Sequence, residues 1–308
     1  MAYMKIPRVL GTLLCTCWLL LSAGQTRAQL NVFATVPEWG ALVEELAGDK
    51  VKLYVATNAL QDPHRVQARP SLLARARNAQ LLISTGAELE VGWLPILQRD
   101  SGNPNILPGK VGFFEAAQYV QLLGVPSSVD RSMGDVHAAG NPHIQTDPRH
   151  FLPIASALTE RLVLLDAGNT AFYQERLRLF LVKWQANLDR WTASAKPLQG
   201  LKAWAQHDGF LYMNDWLGIN QVGTLESVPG MEPSVAHLAT VLQRQAELQG
   251  KLIMTSAYMS DTPSKWFSER AKVPLVILPF TVGGNKEAST LESFFDNTVQ
   301  RLLHALKP

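Results

Sequence analysis

From residue 170 to residue 195 the chain runs without a glycine or a proline. Tyr173, Leu177, Phe180, Leu181, Trp184, Leu188 and Trp191 fall there on one face of a helix. That is long for a globular helix, and Asp166 to Asn169 before it and Pro197 and Gly200 after it mark its ends. On either side, short apolar runs of strand type alternate with amphipathic helical stretches, the pattern of parallel sheets. A chain built this way is an α/β protein whose two halves flank one long helical spine.

In the first half, strands are expected over 31–35, 51–55 and 80–84, with helices over 39–47, 70–79 and 92–97. Short strands or turns follow at 112–117 and 121–125. Residues 126–141 are polar, rich in Ser, Asp and Gly. Asp147-Pro148 opens a helix with Phe151, Ile154, Ala155, Leu158, Leu162 and Leu165 at the helical period. The second half repeats the style, with strands over 202–205, 220–224, 251–255 and 273–278. Its helices are expected over 209–217, 235–248, 263–270 and 291–305.

Residues 1–28 read as a secretory signal. Lys5 and Arg8 precede a short apolar run, and Thr26-Arg27-Ala28 offers small residues where a signal peptidase cuts. An uncleaved anchor is the alternative, although the run is short for a membrane span. A lipoprotein box is disfavoured, because Cys15 follows Leu14 and Cys17 follows Thr16. Both cysteines lie in this leader, so the remaining chain has none, and a metal site in it must use nitrogen and oxygen ligands. The leader holds Lys5, Arg8 and Arg27 and no acid. Without it, 28 − 3 = 25 basic residues face 26 acidic ones, a net charge of −1. That balance gives no sign of a nucleic-acid surface.

Of seven histidines, His237 and His304 sit in expected helices without a second ligand at metal spacing, and His150 in a first helical turn reads as a surface residue. His64, His143 and His207 differ, each lying at a strand end or in a loop. His64 and His143 directly follow Pro63 and Pro142, whose fixed φ stiffens the approach. His207 follows a strand, and in open α/β sheets the ligand crevice lies beyond the carboxyl ends of the strands. Three imidazoles suit Zn²⁺, with a fourth position for water or a carboxylate. Histidine is also a frequent bystander, and no HxxxH or HExxH spacing is present, so spacing alone leaves both readings open.

The chain after the leader resembles the metal-binding solute-binding proteins of ABC transporters, which deliver zinc or manganese. Asp62-Pro63-His64 resembles that family's first ligand loop, and Asn141-Pro142-His143 with Asp147-Pro148 the second. Gln206-His207-Asp208-Gly209-Phe210-Leu211-Tyr212 resembles the third. Pro70-Ser71, Asn78-Ala79-Gln80-Leu81-Leu82-Ile83 and Pro229-Gly230-Met231-Glu232-Pro233-Ser234 are similar to stretches between and after them, and Glu88 to Trp93 more loosely. The resemblance implies two Rossmann-like lobes joined by a long rigid helix, with the metal in the interlobe cleft. His64 and His143 would come from an N-terminal lobe over 29–165, and His207 from a C-terminal lobe over 197–308, with a linking helix over 166–196. A histidine in the third position is similar to the zinc branch, where manganese-binding relatives carry a carboxylate.

Three departures stand out. Ile144-Gln145-Thr146 replaces an aromatic after the second motif. Thr281 stands where the family often has an aspartate, which leaves water, Asn285 and Glu287 as candidates for the fourth ligand. A His- and Asp-rich loop of some zinc-binding relatives is reduced to Asp135 and His137. There His137 either hands metal to the site or is a solvated loop residue.

The resemblance thus implies a monomeric, non-enzymatic periplasmic protein that captures Zn²⁺ and delivers it to a membrane ABC permease. A separate metal chaperone is a further partner to consider. The competing readings are a manganese- or iron-binding relative, a secreted zinc hydrolase drawing on Asp208, and an adhesin.

Overall fold

A computed structural model of the chain describes residues 28–128, 130 and 134–307. The expected signal segment, with Cys15 and Cys17, lies outside the described residues. Among these, no helix is long and apolar enough to cross a membrane.

Strands β1 (Leu30–Ala34), β2 (Val51–Val55), β3 (Leu81–Ser84) and β4 (Phe113–Glu115) form a parallel sheet in the order β2-β1-β3-β4. Strands β5 (Lys202–Ala205), β6 (Asn220–Thr224), β7 (Leu252–Ser256) and β8 (Leu275–Leu278) form a second, in the equivalent order β6-β5-β7-β8. Leu30 pairs with Val51 and Val32 with Leu81 in the first sheet, as Ala203 pairs with Leu252 in the second. Interior strands β3 and β7 are buried along their whole length, whereas edge strands β2 and β6 are largely half-exposed. This is the burial of a parallel sheet covered on both faces.

The covering helices are α1 (Pro37–Ala47), α2 (Pro70–Arg77), α3 (Leu94–Ser101) and α4 (Phe151–Leu165) in the first half. The spine is α5 (Thr170–Ser194), whose 25 residues make it about 37 Å long. The second half carries α6 (Leu211–Leu217), α7 (Val235–Gln243), α8 (Gln245–Leu248), α9 (Thr262–Ala271) and α10 (Leu291–His304). Helix α5 turns Tyr173, Phe180, Trp184 and Trp191 inward. Trp184 Nε1 donates to the Pro148 carbonyl at 2.7 Å and Trp191 Nε1 to Asp296 at 2.6 Å. One apolar core runs from the first sheet through α1, α4, α5 and α10 to the second.

Two sequence expectations are corrected. The single helix over 235–248 is two helices broken at Arg244. There the Gln245 side chain accepts from Trp204 Nε1 and donates to the Gly250 carbonyl, pinning it towards the sheet. Residues 121–125, expected as a short strand or turn, form neither. That segment is instead tied by Leu123, whose N–H donates to the Tyr212 hydroxyl and whose carbonyl accepts from Asn141.

Candidate metal centre

The carboxyl ends of both sheets face one cleft, and the loops that leave them supply its walls. His64 lies in the loop after β2. Its backbone N–H and its ring Nδ1 both bond Asp62 Oδ1, at 3.0 and 2.9 Å. Pro63 between them has no N–H to compete, and its carbonyl accepts from Trp93 Nε1 at 3.0 Å. Asn141-Pro142-His143 repeats the turn, with Asn141 Oδ1 accepting the His143 N–H at 3.0 Å. Asn141 also reaches the second lobe, donating to the Asp208 carbonyl at 2.7 Å and accepting from the Tyr212 hydroxyl at 2.6 Å. His207 lies just past β5, with Nδ1 on Glu226 at 2.8 Å. Glu226, just past β6, also accepts the Gly230 N–H at 2.8 Å.

The structure brings His64, His143 and His207 together. Ring centres of His64 and His143 lie 5.3 Å apart, those of His143 and His207 5.4 Å, and those of His64 and His207 6.5 Å. The Nε2 atoms of His143 and His207 stand 3.3 Å apart. With their N–H groups given to Asp62 and Glu226, His64 and His207 turn Nε2 lone pairs inward, the orientation that a carboxylate imposes on a metal-ligating imidazole. His64 Nε2 is buried without a partner, as is His143 Nδ1. Phe280 packs edge-on against His143 at 5.0 Å. Among the described residues, no three His, Asp or Glu donor atoms are already drawn onto one point. The rings are gathered but not yet closed on a common centre.

A fourth imidazole joins them. His137, read from sequence as either a metal-transfer residue or a solvated one, lies nearly parallel to His64 with ring centres 5.4 Å apart. Its Nε2 is buried and without a partner. A lone histidine in a polar stretch carries no sequence signal for this. Glu226, also missed, sits 19 residues beyond His207 and meets it only because β5 and β6 are neighbours.

Electrostatics favour the neutral form of His143 and of His137. Burial, with His64, His207 and His137 close by, holds His143 well below the ordinary histidine range. Burial and then His64 push His137 down to about 4, against the pull of Glu88 and Asp135. Burial also opposes charge on His207, but the Glu226 bond and the charges of Glu226, Asp208 and Asp135 outweigh it and leave His207 raised. Burial works against the Asp62 carboxylate, and its bond to His64 more than offsets this, holding it below its usual value. A cavity of about 230 Å³ opens beside the rings, with Asp62, Asp135, Glu226 and Glu232 in its lining, a setting that draws cations.

The other candidates have other partners. The Thr281 hydroxyl donates to buried Glu38. The Asn285 side chain bonds Asn297 and the Ala288 N–H, and exposed Glu287 faces Arg301 at 3.8 Å. Asp208 Oδ1 accepts from Gln221 at 3.0 Å. His150 is not a surface residue. Its Nδ1 bonds the Ile144 carbonyl at 2.8 Å and its ring packs on Tyr212, because Asp147-Pro148 adds a tight turn that folds it inward ahead of α4. His237 is half-buried in α7, and His304 is exposed at the end of α10.

Residues 32–305 match the family described as zinc-uptake complex component A periplasmic, ZnuA. The chain belongs to that family. ZnuA-family proteins are periplasmic metal-binding components of ABC transporters. Among relatives, the manganese ABC transporter substrate-binding lipoprotein PsaA of Streptococcus pneumoniae is 21% identical over 277 residues, covering 89% of this chain and 87% of that protein. The solved structure of FpvC from Pseudomonas aeruginosa in complex with Mn²⁺ superposes with a TM-score of 0.77 at 19% identity, covering 91% of this chain and 99% of that one. The 138-173 ZnuA deletion mutant with zinc bound gives a TM-score of 0.75 at 20% identity, covering 91% and 100%. Likeness at these identities shows a shared fold: two parallel-sheet lobes and a long helix, as the sequence resemblance implied.

Proposed function

We propose that this protein captures Zn²⁺ outside the cytoplasm, after loss of its signal segment, and delivers it to a membrane ABC permease. His64, His143 and His207 hold the ion. The observation that carries this reading is a pair of imidazoles, each oriented by its own carboxylate, His64 by Asp62 and His207 by Glu226, with His143 between them. Two nitrogens bound to one tetrahedral Zn²⁺ at 2.0–2.1 Å stand about 3.3 Å apart, and His143 and His207 have that separation, 3.3 Å. Binding then requires a short inward movement of His64. Imidazole donors favour zinc, whereas manganese prefers oxygen. The carboxylates nearest the rings bond ring N–H groups, and Asp208 bonds Gln221, so the site orients ligands rather than activating a water for hydrolysis.

Manganese is the competing cargo, since the relatives include proteins named for it. Competition between Zn²⁺ and Mn²⁺ for the metal-stripped protein decides between them. We expect one Zn²⁺ per chain, retained against excess Mn²⁺, and an affinity loss of at least about 10- to 100-fold in each of His64→Ala, His143→Ala and His207→Ala. Stoichiometric zinc binding that survives the triple substitution, or displacement of zinc by manganese, overturns the proposal.

A further inference from the structure

The segment from Gly134 to Asn141 crosses from the first lobe to the second beside His64. Two close backbone approaches seat it. A Cβ on Gly134, at φ +72°, would stand 2.3 Å from the Pro229 carbonyl oxygen, and one on Gly230, at φ +78°, would stand 1.9 Å from Asp135 Oδ2. At Gly134 the contact is with backbone, so a side chain there is excluded, and at Gly230 the positive φ favours glycine while a Cβ would displace the Asp135 carboxylate. The Asp135 N–H donates to the Pro229 carbonyl at 3.0 Å. Arg65, from the loop that carries His64, donates to the Gly230 carbonyl at 3.0 Å. On the other side, Glu88 accepts the Ala138 N–H at 2.6 Å. Glu88 belongs to a run of left-handed residues, Gly86 at φ 79°, Ala87 at 48° and Glu88 at 67°. Such a run is costly for side-chain-bearing residues, and Glu90 holds it by accepting the Thr85 and Gly86 N–H groups.

The outcome of this seating is the position of one ring. His137 lies beside His64, with its Nε2 buried and unpartnered. A solvated loop histidine would face water instead. Imidazoles around one tetrahedral ion have their ring centres about 5 Å apart. The His137–His64, His64–His143 and His143–His207 separations are 5.4, 5.3 and 5.4 Å, and the wider His64–His207 separation, 6.5 Å, is the one that a short inward movement of His64 would close. We infer that His137 is a fourth metal ligand, so that the crossing segment completes an all-imidazole tetrahedral site and biases it against manganese. This rests on the reading of His64, His143 and His207 as ligands. It also gives a role to the departure at Thr281: the fourth donor comes from the segment before α4 rather than from the loop after β8.

The test compares the wild type with His137→Ala, His137→Asp and, as a control, His64→Ala. It uses chelator competition with Zn²⁺ and Mn²⁺, and the visible absorption of bound Co²⁺, which reports coordination number and donor type. Metal-free thermal unfolding checks that each variant folds. For His137→Ala we expect one zinc per chain, bound roughly 10- to 100-fold more weakly, with an altered Co²⁺ spectrum. For His137→Asp we expect zinc retained and the zinc-to-manganese affinity ratio narrowed by at least about 10-fold, since the new donor is an oxygen. Wild-type affinity and an unchanged Co²⁺ spectrum in His137→Ala, while His64→Ala loses both, overturn the inference and leave the three-histidine site standing. A His64→Ala protein that binds zinc like the wild type overturns both.

Discussion

At the scale of single residues, four Asx-Pro dipeptides show how much local chemistry decides. Asp62, Asn103, Asn141 and Asp147 each precede a proline, and each side chain accepts the N–H two residues on, at 3.0, 3.1, 3.0 and 2.8 Å. Asx side chains favour this turn, and proline fixes φ and removes the competing N–H. His64 and His143 were therefore legible as stiffly held side chains before any fold was known. Their carboxylate partners were less so, because Asp62 acts within its own turn while Glu226 acts across a strand pair. Asp62→Asn keeps the turn but weakens the anchor of the His64 ring, and Glu226→Gln does the same for His207. We expect each to lower zinc affinity roughly 10- to 100-fold, read by chelator competition. At Gly209 added bulk would press on the cluster itself. A Cβ there would stand 2.9 Å from the Phe280 ring and 3.3 Å from His207 Cδ2. Gly209→Ala should therefore push Phe280 against His143 and weaken zinc binding while the thermal unfolding midpoint changes little.

Between elements, the informative contact is Glu38 in the first turn of α1 against Thr281 after β8. From sequence, Thr281 reads as a departure from an aspartate that the family often has. That reading does not contain the contact, which joins residues from opposite halves of the chain. The structure buries Glu38, with Thr281 donating to it. Burial raises its carboxyl from 4.5 to about 7, with Glu90 adding to the rise and the Thr281 bond opposing it. The unfolded chain gives up this proton near pH 4.5, and the folded chain holds it to about pH 7. The native state thus binds the extra proton inside that window, and the Glu38 contribution to stability falls as pH rises through it. Glu38→Gln keeps an oxygen acceptor for Thr281 and removes the titration. We expect the variant to gain on the wild type between pH 4.5 and 7, and to be more stable by about 3 kcal/mol above pH 7, the value of 2.5 pH units. Denaturant unfolding over that range measures it. A constant difference across the window would mean that Glu38 does not titrate there.

For the whole molecule, the alternation of strands and helices and the period of α5 announced two α/β halves and a spine. A helical period shows that one face is buried but not what buries it. Here the face of α5 lies within one apolar core that continues through α1, α4 and α10 into both sheets. The aromatic contacts of Trp184, Trp191 and Phe295 make the lobes share an interior rather than meet across a solvent gap. Close-packed interiors resist large relative displacement, so metal capture in this chain should need little lobe movement. The adjustment falls to the short loops that carry His64 and His137. We therefore expect X-ray scattering to give the same radius of gyration with and without Zn²⁺, near the roughly 19 Å of a compact chain of this size. Amide exchange should slow on zinc binding in the segments around His64 and from Asp135 to Gly140, and not along α5. Ligand linkage stabilises the fold by about 4 kcal/mol when free zinc is 1,000 times its dissociation constant, so the thermal midpoint should rise as a single transition. A clear contraction in scattering, or exchange slowing spread along α5, would instead show two lobes swinging shut about the helix.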